Sequence, residues 1–94
     1  MSSTGFHERF EDLSAAIRDM HRAIVSLMEE LEAIDWYNQR RDASDDEALK
    51  DILVHNRDEE KEHAAMLIEW IRRRDPTFSR ELREYLFTDK PIAH

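Results

Sequence analysis

The 94-residue chain sets 22 acidic against 14 basic residues, for a formal net charge of −8, and has no cysteine. That balance disfavours nucleic acid and anionic membrane surfaces, which need Lys/Arg patches, and suits a protein that draws cations. Without thiols there are no disulfides, iron–sulfur clusters or thiolate zinc sites, so any metal must be held by carboxylate and imidazole.

Ninety-four residues bound the chain to one domain over 1–94, and one Gly, two Pro and a surplus of strong helix formers predict an all-α fold. No apolar run approaches the ~20 residues of a membrane span. No basic-then-apolar leader opens the sequence, so a cytoplasmic protein is expected. Two or three helices cannot enclose a large core, and their apolar stripes are expected to find partners in other copies of the chain.

From Phe6 an apolar series recurs at alternating steps of four and three: Phe6, Phe10, Leu13, Ile17, Met20, Ile24, Leu27, Leu31, Ile34. It predicts a first helix over about 6–38, with a period suited to left-handed packing against other helices. The stretch from Arg40 to Glu47 is polar and turn-like. Ser44 and Glu47 have the spacing of a capping box, and Asp45 and Asp46 suit the positive end of the next helix. A second helix is expected over about 45–74, stopped by Pro76, which also restricts Asp75. A short third helix over about 77–87 carries Phe78, Leu82, Tyr85 and Leu86. The short connection between the long helices makes them an antiparallel hairpin.

The second helix holds the residues that do not fit a core. On a wheel of about 100° per residue, positions 49, 53, 56, 60, 63, 67 and 70 share one stripe. Leu49, Leu53, Leu67 and Trp70 belong on a buried seam; Asn56, Glu60 and His63 lie in its middle. A buried, unpaired carboxylate would cost several kcal/mol. Glu-x-x-His on one helix face is a known way to hold a transition metal inside a bundle. On the first helix Glu30 borders the apolar stripe, and Tyr37 follows seven residues on.

A carboxylate-bridged di-metal site in a four-helix bundle takes a Glu from each of two helices and Glu-x-x-His from each of the other two. This chain supplies half: Glu30, and Glu60 with His63. Two hairpins pairing into a four-helix bundle would complete the set. Oxygen-rich ligands with one imidazole per metal suit iron or manganese better than copper. The competing reading is a polar layer in a helical dimer, with Glu60 and His63 hydrogen-bonded to each other or to an Arg.

Glu29, Glu32 and Trp36 form a second line on the opposite face of the first helix. A solvated charged face is the bland reading. An exposed indole usually marks a contact, and a cation-collecting site is the functional one. His21 and His55 lie outside the seam centre and read as surface or interface histidines; His7 and His94 lie near the ends. Asp58, Glu59 and Glu62 read as solvated charges paired with Arg57 and Lys61, with Glu62 also in reach of supporting the site.

The runs HRAIVSLMEELEAIDWY at 21–37, HNRDEEKEHAAM at 55–66 and YLFT at 85–88 resemble the three helices of the encapsulated ferritins. The resemblance implies a hairpin that dimerises into a ferritin-like bundle, dimers arranged in an annular decamer, and a ferroxidase site between two subunits. Carried over by position, the iron ligands match Glu30, Glu60 and His63, with Tyr37 close by. A site where metal enters matches Glu29, Glu32 and Trp36, and could take other divalent cations such as Ca or Mn. The resemblance also implies cargo that oxidises iron inside an encapsulin nanocompartment, with the encapsulin shell protein as partner. Family members usually run on into a Gly/Ser-rich tail ending in a short encapsulin-targeting peptide. The sequence stops at His94 without either, so encapsulation is implied by resemblance alone.

The resulting expectation is a ferroxidase that oxidises Fe(II) to Fe(III) at a di-iron site shared by two subunits, for iron storage and detoxification. The alternatives are a non-catalytic helical oligomerisation module, and a di-manganese or oxygen-sensing protein.

Overall fold

The structure, a computed structural model, describes residues 5–93; the expectation for His94 lies outside them. Three α-helices follow a short 3-10 turn at Phe10–Asp12: α1 over Ala15–Ala43, α2 over Glu47–Arg74 and α3 over Pro76–Tyr85. The expected all-α architecture is present, and α1 and α2 form an antiparallel hairpin of about 43 Å. None of the described helices is long and apolar enough to cross a membrane.

Where α1 begins is a correction. It starts at Ala15, because the Ser14 hydroxyl accepts from the backbone N–H of Ile17 and caps the helix. The apolar spacing at Phe6, Phe10 and Leu13 continues the helical period without being helix. This segment folds back on α1 instead: the Phe6 ring lies 4.2 Å from that of His21, and the Arg18 guanidinium donates to the Phe10 carbonyl at 2.7 Å. At its far end α1 runs to Ala43 rather than 38, with Arg40 and Arg41 in its last turn as the helix dipole favours.

The capping box is also displaced. Asp46, not Ser44, caps α2, its carboxylate accepting from Leu49 N–H at 2.8 Å. Ser44 closes α1 and accepts from Asp46 N–H. Glu47 is then the first helical residue, too early to reach back. Pro76 acts as expected: Asp75 before it is extended, ends α2 and caps α3 through Phe78 N–H. The last helix stops at Tyr85, two residues early, because Phe87 takes the left-handed conformation (φ 59) that closes helix ends.

The buried core is small: Ala23 on α1, Ala64 and Ile71 on α2, and Ser79 on α3. The radius of gyration, 16.8 Å, exceeds the ~12 Å of a compact domain of this length. The seam between α1 and α2 is turned from the predicted stripe. Along α1 it passes through Met20, Ala23, Leu27, Glu30, Ile34 and Tyr37, all buried or half-buried, while Ile17, Ile24, Met28 and Leu31 stay exposed. One helix carries more apolar surface than one partner can cover. Glu30 is therefore a member of the seam and not its border.

The α2–α3 corner is held by charge. Arg72 donates to both Glu69 oxygens at 2.7 Å and to the buried Ser79 hydroxyl at 3.1 Å, and Arg73 also reaches Glu69 at 2.7 Å. The Arg72 bond, followed by that of Arg73, holds the Glu69 carboxyl down to about 2.

Candidate metal centre

Ala23 on α1 and Ala64 on α2 are buried in the hairpin. Glu30 comes from α1, and Glu60 and His63 from one turn of α2. One ligand atom from each lies within 4.8 Å of the others. Among the described residues this is the group of three or more potential ligands that converges. His63 Nδ1 is 3.6 Å from Glu30 Oε2 and 3.6 Å from Glu60 Oε2. Both distances are beyond a hydrogen bond. The Glu30 and Glu60 side chains are about one-quarter exposed and His63 less than half.

Glu30 Oε2 is buried and has no hydrogen-bond partner. A carboxylate oxygen so placed costs stability unless something compensates. Here a carboxylate pair and an imidazole nitrogen face one another without bonding, at separations that leave room between them. Two oxygen donors and one imidazole are also the donor set that suits iron or manganese. The residues present therefore fit a cation of that kind.

The other sequence-selected residues separate into groups. Tyr37 is half-buried on the Glu30 side of the seam, and Arg40 lies 5.5 Å from its ring centre. Glu29 and Trp36 are exposed and Glu32 half-exposed, with Arg40 5.9 Å from the Trp36 ring. Among the described residues, Glu29 and Glu32 join no converging ligand group within this chain. His55 is exposed and pairs with Glu59 at 2.7 Å, so Glu59 serves a histidine, not the expected Arg57 or Lys61. Asp58 does pair with both of those cations, and its carboxyl is pulled below the usual range chiefly by the Arg57 bond. Glu62 is exposed beside Ala65 and Glu69, as a solvated charge should be, and takes no part in the convergent group. His21 is half-buried under Phe6, and His7 is exposed.

Sequence reasoning missed Arg57. It reads as a surface counter-charge, yet its side chain is only 22% exposed, and it donates across the hairpin to the Asn38 side chain at 3.1 Å. Its place three residues before Glu60, on the inward face, was the available signal.

The family model described as EncFtn-like matches residues 5–89. The chain belongs to the EncFtn-like family. It is 60% identical over 92 residues to the encapsulated ferritin-like protein of Rhodospirillum rubrum, a match covering 98% of this chain and 66% of that protein. It is 43% identical over 60 residues to the encapsulin nanocompartment cargo protein EncC of Myxococcus xanthus, covering 64% of this chain and 46% of that one. The crystal structure of protein ne0167 from Nitrosomonas europaea superposes with a TM-score of 0.92 at 68% identity, over 96% of this chain and 99% of that one. The EncFtn-like chain thus spans less than two thirds of the length of these two curated relatives. The family match covers α1, α2 and α3, and includes every residue of the convergent group.

Proposed function

We propose that this protein is a ferroxidase, oxidising Fe(II) to Fe(III) at a di-iron centre completed by two copies of the chain. One observation carries the reading: a buried Glu30 oxygen without a hydrogen-bond partner, facing Glu60 and His63 in the seam of a hairpin. Glu30, Glu60 and His63 are the iron ligands in this reading. One chain offers two carboxylates and one imidazole, too few donors for two ions, and a second chain doubles them. The exposed rows Ile17, Ile24, Met28 and Leu31 on α1 and Leu49, Ile52 and Met66 on α2 support such pairing, because faces of this size need covering. A pair completes a four-helix bundle; the family resemblance extends this to an annular decamer.

Iron is the substrate. Each Fe(II) gives up one electron; two electrons and two protons reduce dioxygen to hydrogen peroxide, or peroxide to water. The carboxylates favour the more highly charged product ion, and the apolar seam around them limits water. Tyr37, on the Glu30 side of the seam, is assigned to hydrogen-bonding a ligand. Glu29, Glu32 and Trp36 are assigned to cation uptake from solvent, with Ca or Mn as alternative occupants; the exposure of Glu29 and Trp36 supports this. The words "encapsulated" and "encapsulin nanocompartment cargo" in the relatives' names support a place inside an encapsulin shell, with the shell protein as partner and iron storage as the outcome.

The test is anaerobic Fe(II) loading of the purified protein followed by air, watching ferric absorbance in the near-UV, with light scattering for mass. Rapid oxidation at about one iron per chain, the stoichiometry of a half-set of ligands, is expected, together with its loss in Glu60→Ala. Oxidation no faster than buffer would overturn the proposal and return the half-buried Glu60 to a structural role.

A further inference from the structure

Arg57 and Asn38 form a hydrogen bond that crosses from α2 to α1 (3.1 Å, Nη1 to Oδ1). The tie and the Glu30–His63 approach belong to one antiparallel register. Going back along α1 from Asn38 to Glu30 and forward along α2 from Arg57 to His63 is about two turns on each helix. Glu60 lies between them, one turn from Arg57 on the same face.

The other half-buried residues of the seam near the centre include Leu27, Ile34 and Tyr37 on α1 and Leu53, Asn56 and Leu67 on α2, most of them apolar. Apolar contact is non-directional and tolerates sliding. A slip of one helical turn would carry Glu30 about 5.4 Å along α2, and a ligand group needs its atoms held within roughly 0.5 Å. The connection over 44–46 limits sliding at the loop end, and a directional polar contact nearer the ligands narrows what freedom remains. The guanidinium is suited to this. Its Nε is held by Asp58 at 3.2 Å on its own helix, which leaves Nη1 aimed across at Asn38. Most of the side chain is out of solvent (22% exposed), so it cannot swing freely.

We infer that Arg57 is a positioning residue for the Glu30–Glu60–His63 group: bonded to Asn38, it pins the register at which α1 and α2 bring their ligands together. The inference rests on the metal-centre reading above. Arg57 touches no ligand; it acts through the two helices.

Co(II) titration of the whole protein tests it, because Co(II) absorption reports both affinity and coordination geometry, independently of iron turnover. Asn38 is exposed, so its variants should fold. Asn38→Ala and Arg57→Met should each weaken Co(II) binding about 10-fold, the lower end of what outer partners of a metal site contribute, and change the shape of the visible band. The double variant should bind no more weakly than Arg57→Met, since both remove one bond. Asn38→Asp, which keeps the acceptor, should restore the affinity and the band. Unchanged affinity and band in both single variants, even with a lowered melting temperature, would overturn the inference, as would fully additive losses. His63→Ala separates this from failure of the centre itself. Binding equal to wild type in His63→Ala removes the centre and this inference with it. Binding lost in His63→Ala but intact in Asn38→Ala and Arg57→Met removes the inference alone.

Discussion

Two clusters of charged side chains sit on α2 about two turns apart, and they differ in every respect that matters. At Glu69, both carboxylate oxygens accept from guanidinium groups at 2.7 Å, and Arg72 goes on to satisfy the buried Ser79 hydroxyl. At Glu60 and His63, the nearest opposing groups stand off at 3.6 Å, and Glu30 Oε2 has no hydrogen-bond partner. The first cluster is complete within one chain and joins α3 to α2. The second leaves a buried carboxylate oxygen without a hydrogen-bond partner. Polar groups that satisfy one another hold a fold together; a buried polar group left unsatisfied calls for a separate reason, which the proposed metal site supplies.

The comparison is broken most directly at the unsatisfied cluster. Glu60→Ala or His63→Ala should reduce iron oxidation by on the order of 100-fold or more, since even outer partners of a metal site are worth 10–100-fold. Stopped-flow absorbance after Fe(II) mixing measures it, and normal turnover in His63→Ala would withdraw that residue as a ligand. Next comes metal-linked stability. Non-oxidisable Zn(II) at about 100 times its Kd should stabilise the wild-type chain by about 2.7 kcal/mol, and His63→Ala by almost nothing. Thermal melts with and without the ion decide between them, and equal shifts would place the ion elsewhere.

A sharper contrast follows from opposite signs. Glu30→Leu removes an unpartnered buried oxygen and should stabilise the metal-free protein by roughly 1–3 kcal/mol, while Arg72→Met strips partners from Glu69 and Ser79 and should lower the melting temperature. Urea unfolding of the metal-free variants reads both, and destabilisation by Glu30→Leu would mean that Glu30 is satisfied after all. The smallest effect is acid dependence at the corner. Glu69 has its carboxyl depressed from 4.5 to about 2, so its contribution is present above pH 4.5 and is lost as pH falls toward 2. The stability gap between wild type and Glu69→Gln should therefore be constant at neutral pH and close across that acid window. A gap that closes on the alkaline side instead would mean that the carboxylate is not held by Arg72 and Arg73.

Much of this was legible in the residues. Pro76 ended α2 because a ring without an N–H cannot continue a helix, and Glu-x-x-His on an apolar stripe marked the centre because the pattern contradicts burial. Where the reading erred, a local signal had two physical solutions. Phe6 and Phe10 keep the helical period without being helical, since an aromatic can pack on a helix from a folded-back segment as well as from the helix itself. Ser44 and Asp46 are both good caps, and the choice between them turns on which backbone N–H groups the following turn presents.

The sequence by itself determined that the chain is helical, that its two long helices pair, and that Glu60 and His63 share a face, because these follow from periodicity and spacing along one strand of chain. Only the tertiary structure decided how far α1 is rotated against α2. That rotation brought Glu30 into the seam, left Ile17, Ile24 and Leu31 exposed, and set Arg57 opposite Asn38. An apolar stripe wider than one partner can cover does not say which half faces inward. The choice is made by side-chain packing across the interface, which buries Ala23 and Ala64.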